Sequence, residues 1–240
     1  MTTPANLKHE AARRALQFVE SGMVLGLGTG STTAFFIDML GEKVRQGELT
    51  DILVVPTSED TAARAGALGI PLATLTAMAR QRSDPVLDLA VDGADEVDPQ
   101  LNVIKGLGRA LLREKIVESY TRRFIVIVDD SKLVPRLGSK VALPVEILPF
   151  EAGAHIAWLN TLGCRAAQWM EADGSPVVTD NGNYLALCRF PDGIPDAYAL
   201  ALQLAQRAGI IEHGLFLDMV SQVVVAGMNG IELLGRDALV

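Results

Sequence analysis

The amino-acid sequence predicts an α/β fold: a Rossmann-like parallel sheet domain with a smaller inserted α+β (ferredoxin-like) domain. Three observations carry that prediction. Short apolar runs alternate with helix-length amphipathic segments through the first half of the chain, the pattern of strands joined by crossover helices. Turn residues, many of them glycines or aspartates, follow several of those runs directly. After Gly138 the pattern changes to strand segments set among aspartate-, asparagine- and glycine-rich turns, until an apolar run at Val223, Val224 and Val225 resumes the first pattern.

The elements follow in order. Residues 6–20 place Leu7, Ala11, Ala15, Phe18 and Val19 on a helical spacing that Ser21 and Gly22 close. Met23, Val24 and Leu25 enter a glycine-rich turn as a buried strand, and 31–44 reads as a helix. A strand at 52–55 leads to Thr57, Ser58, Glu59 and Asp60, which resemble a capping box opening a helix that ends near Gly69. Residues 87–91 read as a strand, 109–120 as a helix and 124–128 as a fully apolar strand. Strands so separated pair in parallel through right-handed crossovers. Further on, 141–148 contains Pro144, and 150–162 reads as a helix. Strands at 166–170 and 184–188, a helix at 197–208 and a strand near Ile210 complete a β-α-β-β-α-β order. The expected division is 1–138 and 214–240 for the Rossmann-like catalytic domain, and 139–213 for the α+β domain.

Composition narrows the function classes. The 240 residues are 49% hydrophobic and 21% charged, ordinary for a globular chain with a sizeable core. A net charge of −8 argues against a broad nucleic-acid-binding face. No apolar run approaches the ~20 residues of a membrane helix, and the first residues lack the basic-then-apolar order of a secretory signal. The expectation is a cytoplasmic protein with neither nucleic-acid nor membrane partners. Cys164 and Cys188 sit in apolar surroundings without metal-ligand spacing and read as reduced core cysteines.

The unusual residues gather at one edge. Gly28-Thr29-Gly30-Ser31-Thr32, Asp92-Gly93-Ala94-Asp95 and Asp129-Asp130-Ser131-Lys132 each follow a strand, where open α/β sheets form their ligand crevice. The first turn offers backbone N–H groups, hydroxyls and a helix N-terminus to an anion. It breaks the dinucleotide fingerprint at Ser31 and lacks the lysine of a P-loop. Phosphate binding and a plain structural turn both remain open on this segment alone. Asp92 and Asp95 suit sugar hydroxyls, which donate well to carboxylates. An all-oxygen Mg²⁺ site or a self-capped turn are the other readings. Lys105-Gly106-Leu107-Gly108-Arg109 is a second glycine-rich turn. It opens a helix carrying Arg113, Glu114 and Lys115, a run that by itself reads as a solvated helix face.

At these residues the chain resembles the ribose-5-phosphate isomerase A family. The matching segments, in family order, are GLGTGST (26–32), VDGADEVD (91–98), KGLGRALLREKIV (105–117), DDSKLV (129–134), LPVEILPF (143–150) and VVTDNGNYL (177–185). The resemblance implies an aldose–ketose isomerase acting on a sugar phosphate without metal or cofactor, and assembling as a homodimer or homotetramer. It implies that Glu114 moves the proton and that Thr29, Gly30, Ser31 and Thr32 hold the phosphate end. Asp92, Gly93, Ala94 and Asp95 would line the sugar, with Asp92 assisting ring opening and Asp95 orienting hydroxyls. Lys105, Gly106, Leu107 and Gly108 would complete the pocket, with Lys105 offsetting charge on the intermediate, while Lys132 and Lys8 add substrate contacts. Two positions depart from the family pattern: Leu107 replaces a glycine, and Arg109 a small residue. An amino-sugar-phosphate isomerase or deaminase is a neighbouring reading. A sugar-phosphate sensor would need a DNA-binding segment that this chain has no room for ahead of its first helix. A nucleotide-dependent oxidoreductase fails on the broken fingerprint.

Overall fold

In chain order the first elements are α1 (Pro4–Leu16), β1 (Val24–Leu27), α2 (Ser31–Arg45), β2 (Leu53–Pro56), α3 (Glu59–Ala67), α4 (Leu75–Ala79) and β3 (Leu89–Asp92). Next come β4 (Glu96–Val97), β5 (Val103–Ile104), α5 (Leu111–Ser119), β6 (Phe124–Asp129) and β7 (Leu143–Ile147). They are followed by α6 (Ala152–Leu159), β8 (Arg165–Gln168), β9 (Tyr184–Arg189), α7 (Ala197–Ala205) and β10 (Ile210–His213). Last are β11 (Leu215–Phe216), β12 (Gln222–Gly227) and β13 (Gly230–Gly235). The structure is a computed structural model and describes residues 3–235.

The chain divides into two compact units. One holds the chain up to Ala94, Arg113–Lys132 and the chain from Met219; the other holds Asp95–Leu112 and Leu133–Asp218. The pattern change in the sequence set the expected insert at 139–213. Asp95–Leu112 also groups with the second unit, because β5 pairs with β4 on one side and β11 on the other in a three-stranded sheet.

In the first unit six strands form a sheet in the order β13-β12-β6-β3-β1-β2. All its pairs are parallel except the edge hairpin of β12 and β13. Strand β1 has β3 on one side and β2 on the other, so chain order reverses there, the topological switch point of a doubly wound sheet. The strands alternate their faces. Leu25 and Leu27 join Phe36, Leu40, Ile125 and Ile127 in one core, while Val24 packs with Val55, Met78, Leu87 and Val117 in another. Gly26 lets α5 lie close, since a Cβ there would stand 2.9 Å from Val117 Cγ1. The expected cap of α3 is present at Ser58, whose hydroxyl accepts the Thr61 N–H.

The second unit contains the predicted β-α-β-β-α-β order. Its antiparallel sheet runs β10-β7-β9-β8, with the first and third strands central. Leu143, Val145 and Ile147 face Leu159, Leu200 and Leu204 of the two helices in a core that also holds Cys164 and Cys188, both free thiols. Glu146 points to the other face and is buried. Its Oε1 accepts the Thr179 hydroxyl and the Asn181 and Asn183 side-chain amides at 3.0, 3.1 and 2.8 Å. The residues of the 177–185 segment are thus spent on anchoring a turn to the sheet.

Candidate active site

In the first unit the site residues converge on the ends of β1 and β3. Asp92, fully buried, accepts on Oδ1 from the Thr29 N–H at 3.0 Å, the Thr33 hydroxyl at 3.1 Å and the Gly93 N–H at 2.6 Å. These donors tie the Gly28–Thr29 backbone to β3. Gly28 is a steric necessity, because a Cβ there would lie 1.8 Å from Asp92 Cγ. Gly30 precedes α2 with φ +132, and no side chain caps that helix, which leaves its first N–H groups without a side-chain acceptor. Lys8 Nζ donates to Ser31 Oγ at 2.8 Å, which brings a cation to the same helix end. Thr32 is half-buried in the first turn of α2.

Thr29 departs from the expectation. Its hydroxyl bonds Thr57 and Ser58, each at 2.8 Å, and Thr61 at 3.2 Å. That hydroxyl is engaged by the α3 end and the Thr29 N–H by Asp92, so the residue braces the turn against α3 and β3. Ala94 is half-buried, two residues past Asp92. Lys132 ends a 3-10 turn, Asp130–Lys132, directly after β6, and is also half-buried.

Glu114 is buried, 1% exposed, on α5. It stands one turn before Val117, the residue that seats the helix over Gly26, and therefore on the sheet-facing side. Ile116 is exposed and Arg113 and Lys115 are half-buried, so the run is a solvated face except at the glutamate. Arg113 donates to Glu59 Oε1 at 2.7 Å. Glu118, one turn on, is also buried and was not distinguished by the sequence.

In the second unit Lys105 is 2% exposed. Its N–H donates to Gly214 O at 2.9 Å and its ammonium lies 5.4 Å from the centre of the Phe216 ring. Asp95 Oδ2 accepts the Leu107 N–H at 3.0 Å, holding that amide in a defined direction. Gly106 has φ +109, and a Cβ on it would meet Leu111 at 2.8 Å. Leu107 is not among the described residues with positive φ, so the turn accommodates its side chain without a left-handed backbone; Arg109 holds the left-handed conformation, at φ +67. Gly108 is exposed. Gly28 and Gly214 are essential to the packing of these turns, and both escaped the sequence reading as site residues. The signal for Gly28 was its place in the glycine-rich turn; Gly214 carried none. Among the described residues, no three His, Cys, Asp or Glu side chains group as a metal site, and no helix is long and apolar enough to cross a membrane.

Comparison with known proteins gives one result at every level. The family model described as ribose 5-phosphate isomerase A (phosphoriboisomerase A) matches residues 53–230. The chain is 48% identical over 231 residues to a ribose-5-phosphate isomerase A of Chloroflexus aurantiacus, covering 96% of this chain and 94% of that one. It is also 48% identical over 236 residues to a probable ribose-5-phosphate isomerase 2 of Arabidopsis thaliana, covering 96% of this chain and 87% of the relative. Among solved structures, a D-ribose-5-phosphate isomerase in complex with phospho-erythronic acid superposes with a TM-score of 0.91 at 43% identity, covering 98% and 100% of the two chains. The ribose 5-phosphate isomerase A of Methanocaldococcus jannaschii gives 0.89 at 38% identity with the same coverage.

Proposed function

Since this chain belongs to the ribose 5-phosphate isomerase A family, we propose how its own residues carry the family's reaction. The protein interconverts D-ribose 5-phosphate and D-ribulose 5-phosphate, an aldose–ketose isomerisation of the pentose phosphate pathway. The reaction moves a proton between C2 and C1 and passes through an enediolate. Glu114 takes the proton from one carbon and returns it to the other. The observation that carries this assignment is its burial on the sheet-facing side of α5. A carboxylate kept from bulk water does not have to shed a hydration shell before it meets a C–H bond.

A placed general base contributes roughly 10²–10⁴-fold. Preorganised donors at the developing oxyanion supply much of the rest. Lys105 and the Gly106 backbone take that part, on a turn fixed by the Asp95 bond to the Leu107 amide. The phosphate sits at the α2 N-terminus, on the amides of Gly30, Ser31 and Thr32, with Thr29 bracing the turn behind them. Lys8 lies beside Ser31, and Lys132 supplies a further cation. Asp92 and Asp95, with Gly93 and Ala94 between them, line the sugar; Asp92 assists ring opening and Asp95 orients hydroxyls. No metal takes part.

The test is conversion of ribose 5-phosphate by the purified protein in excess chelator, beside Glu114→Gln. Full wild-type activity in chelator and a loss of roughly 10²–10⁴-fold in the variant, with unchanged melting temperature, are expected. Loss of activity restored by Mg²⁺ would reject the metal-free step, and near wild-type turnover of the variant would reject Glu114. Asp92→Asn should slow cyclic substrate more than open-chain substrate; equal slowing contradicts a ring-opening role. The chain assembles as a homodimer or homotetramer in the cytoplasm, and light scattering that returned a monomer at micromolar concentration would overturn the assembly.

A further inference from the structure

We propose that Arg109 is a positioning residue of the isomerase, a latch that holds the Lys105–Leu107 turn by a two-pronged grip on Glu171. This rests on the reading that Lys105, at the head of that turn, serves the reaction, and it adds a residue to which the family resemblance assigns no role.

Arg109 closes the turn, its N–H donating to Gly106 O at 2.9 Å. It does so at φ +67, a conformation that a residue with a side chain adopts at a cost and glycine does not. Backbone strain persists where surrounding contacts over-determine it. Those contacts are present. Nη1 and Nη2 donate to Glu171 Oε1 and Oε2 at 2.5 and 3.1 Å, fork to fork, and the guanidinium carbon lies 5.2 Å from the centre of the Trp169 ring. A single exposed ion pair contributes little, but a bidentate pair stacked on an aromatic face is stronger and specific to arginine.

The receiving surface is a hydrogen-bonded hairpin. Trp169 N–H donates to Leu185 O at 2.7 Å and Val177 N–H to Trp169 O at 2.9 Å, while Glu171 N–H donates to Ser175 O at 2.7 Å. Below it Leu111, Val177 and Leu185 form a small core against Leu112 and Trp169. The turn is therefore held at its start by the Lys105–Gly214 backbone bond, at its middle by Asp95 on the Leu107 amide, and at its end by Arg109. Donors aimed at a developing oxyanion lose effect steeply with displacement, up to about 10²-fold for 1 Å. A grip at the end of the turn thus acts on turnover. The phosphate anchor lies on residues 29–32 and is not part of this turn, so KM should respond less.

Arg109→Gly removes the grip while suiting the left-handed backbone, which keeps the fold. Expected are a kcat lower by about tenfold, a KM within about twofold, and faster amide hydrogen exchange across residues 105–109. Glu171→Gln should give the same change, and the double variant no more than either single one. Arg109→Lys should recover only part, since an ammonium cannot make the fork. Unchanged exchange in Arg109→Gly overturns the latch whatever the rate. Accelerated exchange with wild-type kcat overturns the positioning role. The underlying reading fails separately, through a Lys105→Ala protein that turns over at the wild-type rate with exchange at 106–109 unchanged.

Discussion

A single missing methyl group governs the meeting of the two site turns in the first unit. Gly28 has no space for a side chain, because Asp92 occupies the position at 1.8 Å. The sequence marks 28–32 as a special turn, yet it does not say which glycine answers to torsion and which to close approach. Gly30 needs its φ of +132, whereas Gly28 needs the absent atom. Gly28→Ala should therefore drive Asp92 from the Thr29 amide, cost about 1–3 kcal/mol of stability as an overpacked site, and lower kcat/KM by up to about a hundredfold, the effect of a displacement near 1 Å. Thermal melting and steady-state kinetics would show it; wild-type values in both would remove Gly28 from the site. The same limit on reading applies to Thr29. A hydroxyl in a phosphate-type turn reads as a ligand, but here Thr57, Ser58 and Thr61 take it. Those residues lie about thirty positions away, and spacing in sequence says nothing of them. Cys164 and Cys188 repeat the lesson: distant in sequence, they share one core, where their mutual interaction holds the Cys164 thiol below and, with burial, the Cys188 thiol above the ordinary value.

Among elements, the long periodic ones were legible and the short ones were not. Helices α1, α2 and α3 and strand β6 lie close to their predicted spans because apolar period and caps fix them locally. Strands β4, β5 and β11 have two residues each, too few for any period, and exist because Asp95 to Ile104 and Gly214 to Phe216 are brought side by side. Helix α5 was legible as a helix, but its buried face was not, since Gly26 decides how closely it seats. The start of β1 depends on another remote residue. Asp88 Oδ2 accepts the Val24 N–H at 2.8 Å, and both its oxygens accept from Arg82 at 2.6 and 2.7 Å. Burial works to raise the Asp88 carboxyl, but the Arg82 hydrogen bonds, the Val24 amide and the Arg82 and Arg122 charges outweigh it and hold it below the usual value. A carboxyl lowered in the folded state stabilises the fold above its unfolded value, about 3.9, and that contribution is lost as pH falls through the lower folded value. Asp88→Asn should thus be less stable than wild type by a constant margin above about pH 5, with the margin shrinking below about pH 4. Denaturation at several pH values checks this, and a margin independent of pH down to 2 would contradict it.

For the molecule as a whole, alternation of apolar runs determined a doubly wound sheet and a β-α-β-β-α-β insert, since periodicity and turn residues act over a few positions and are written locally. Ordered motifs determined the family, and with it the reaction. Tertiary structure alone decided the rest. It grouped Asp95–Leu112 with the second unit through pairing to β11. It buried Glu114 on a run that reads as solvated, and it turned Arg109, a departure from the family, into a partner of Glu171. These outcomes depend on which side chains distant in sequence compete for the same space and the same hydrogen bonds. That competition is settled only when the chain packs.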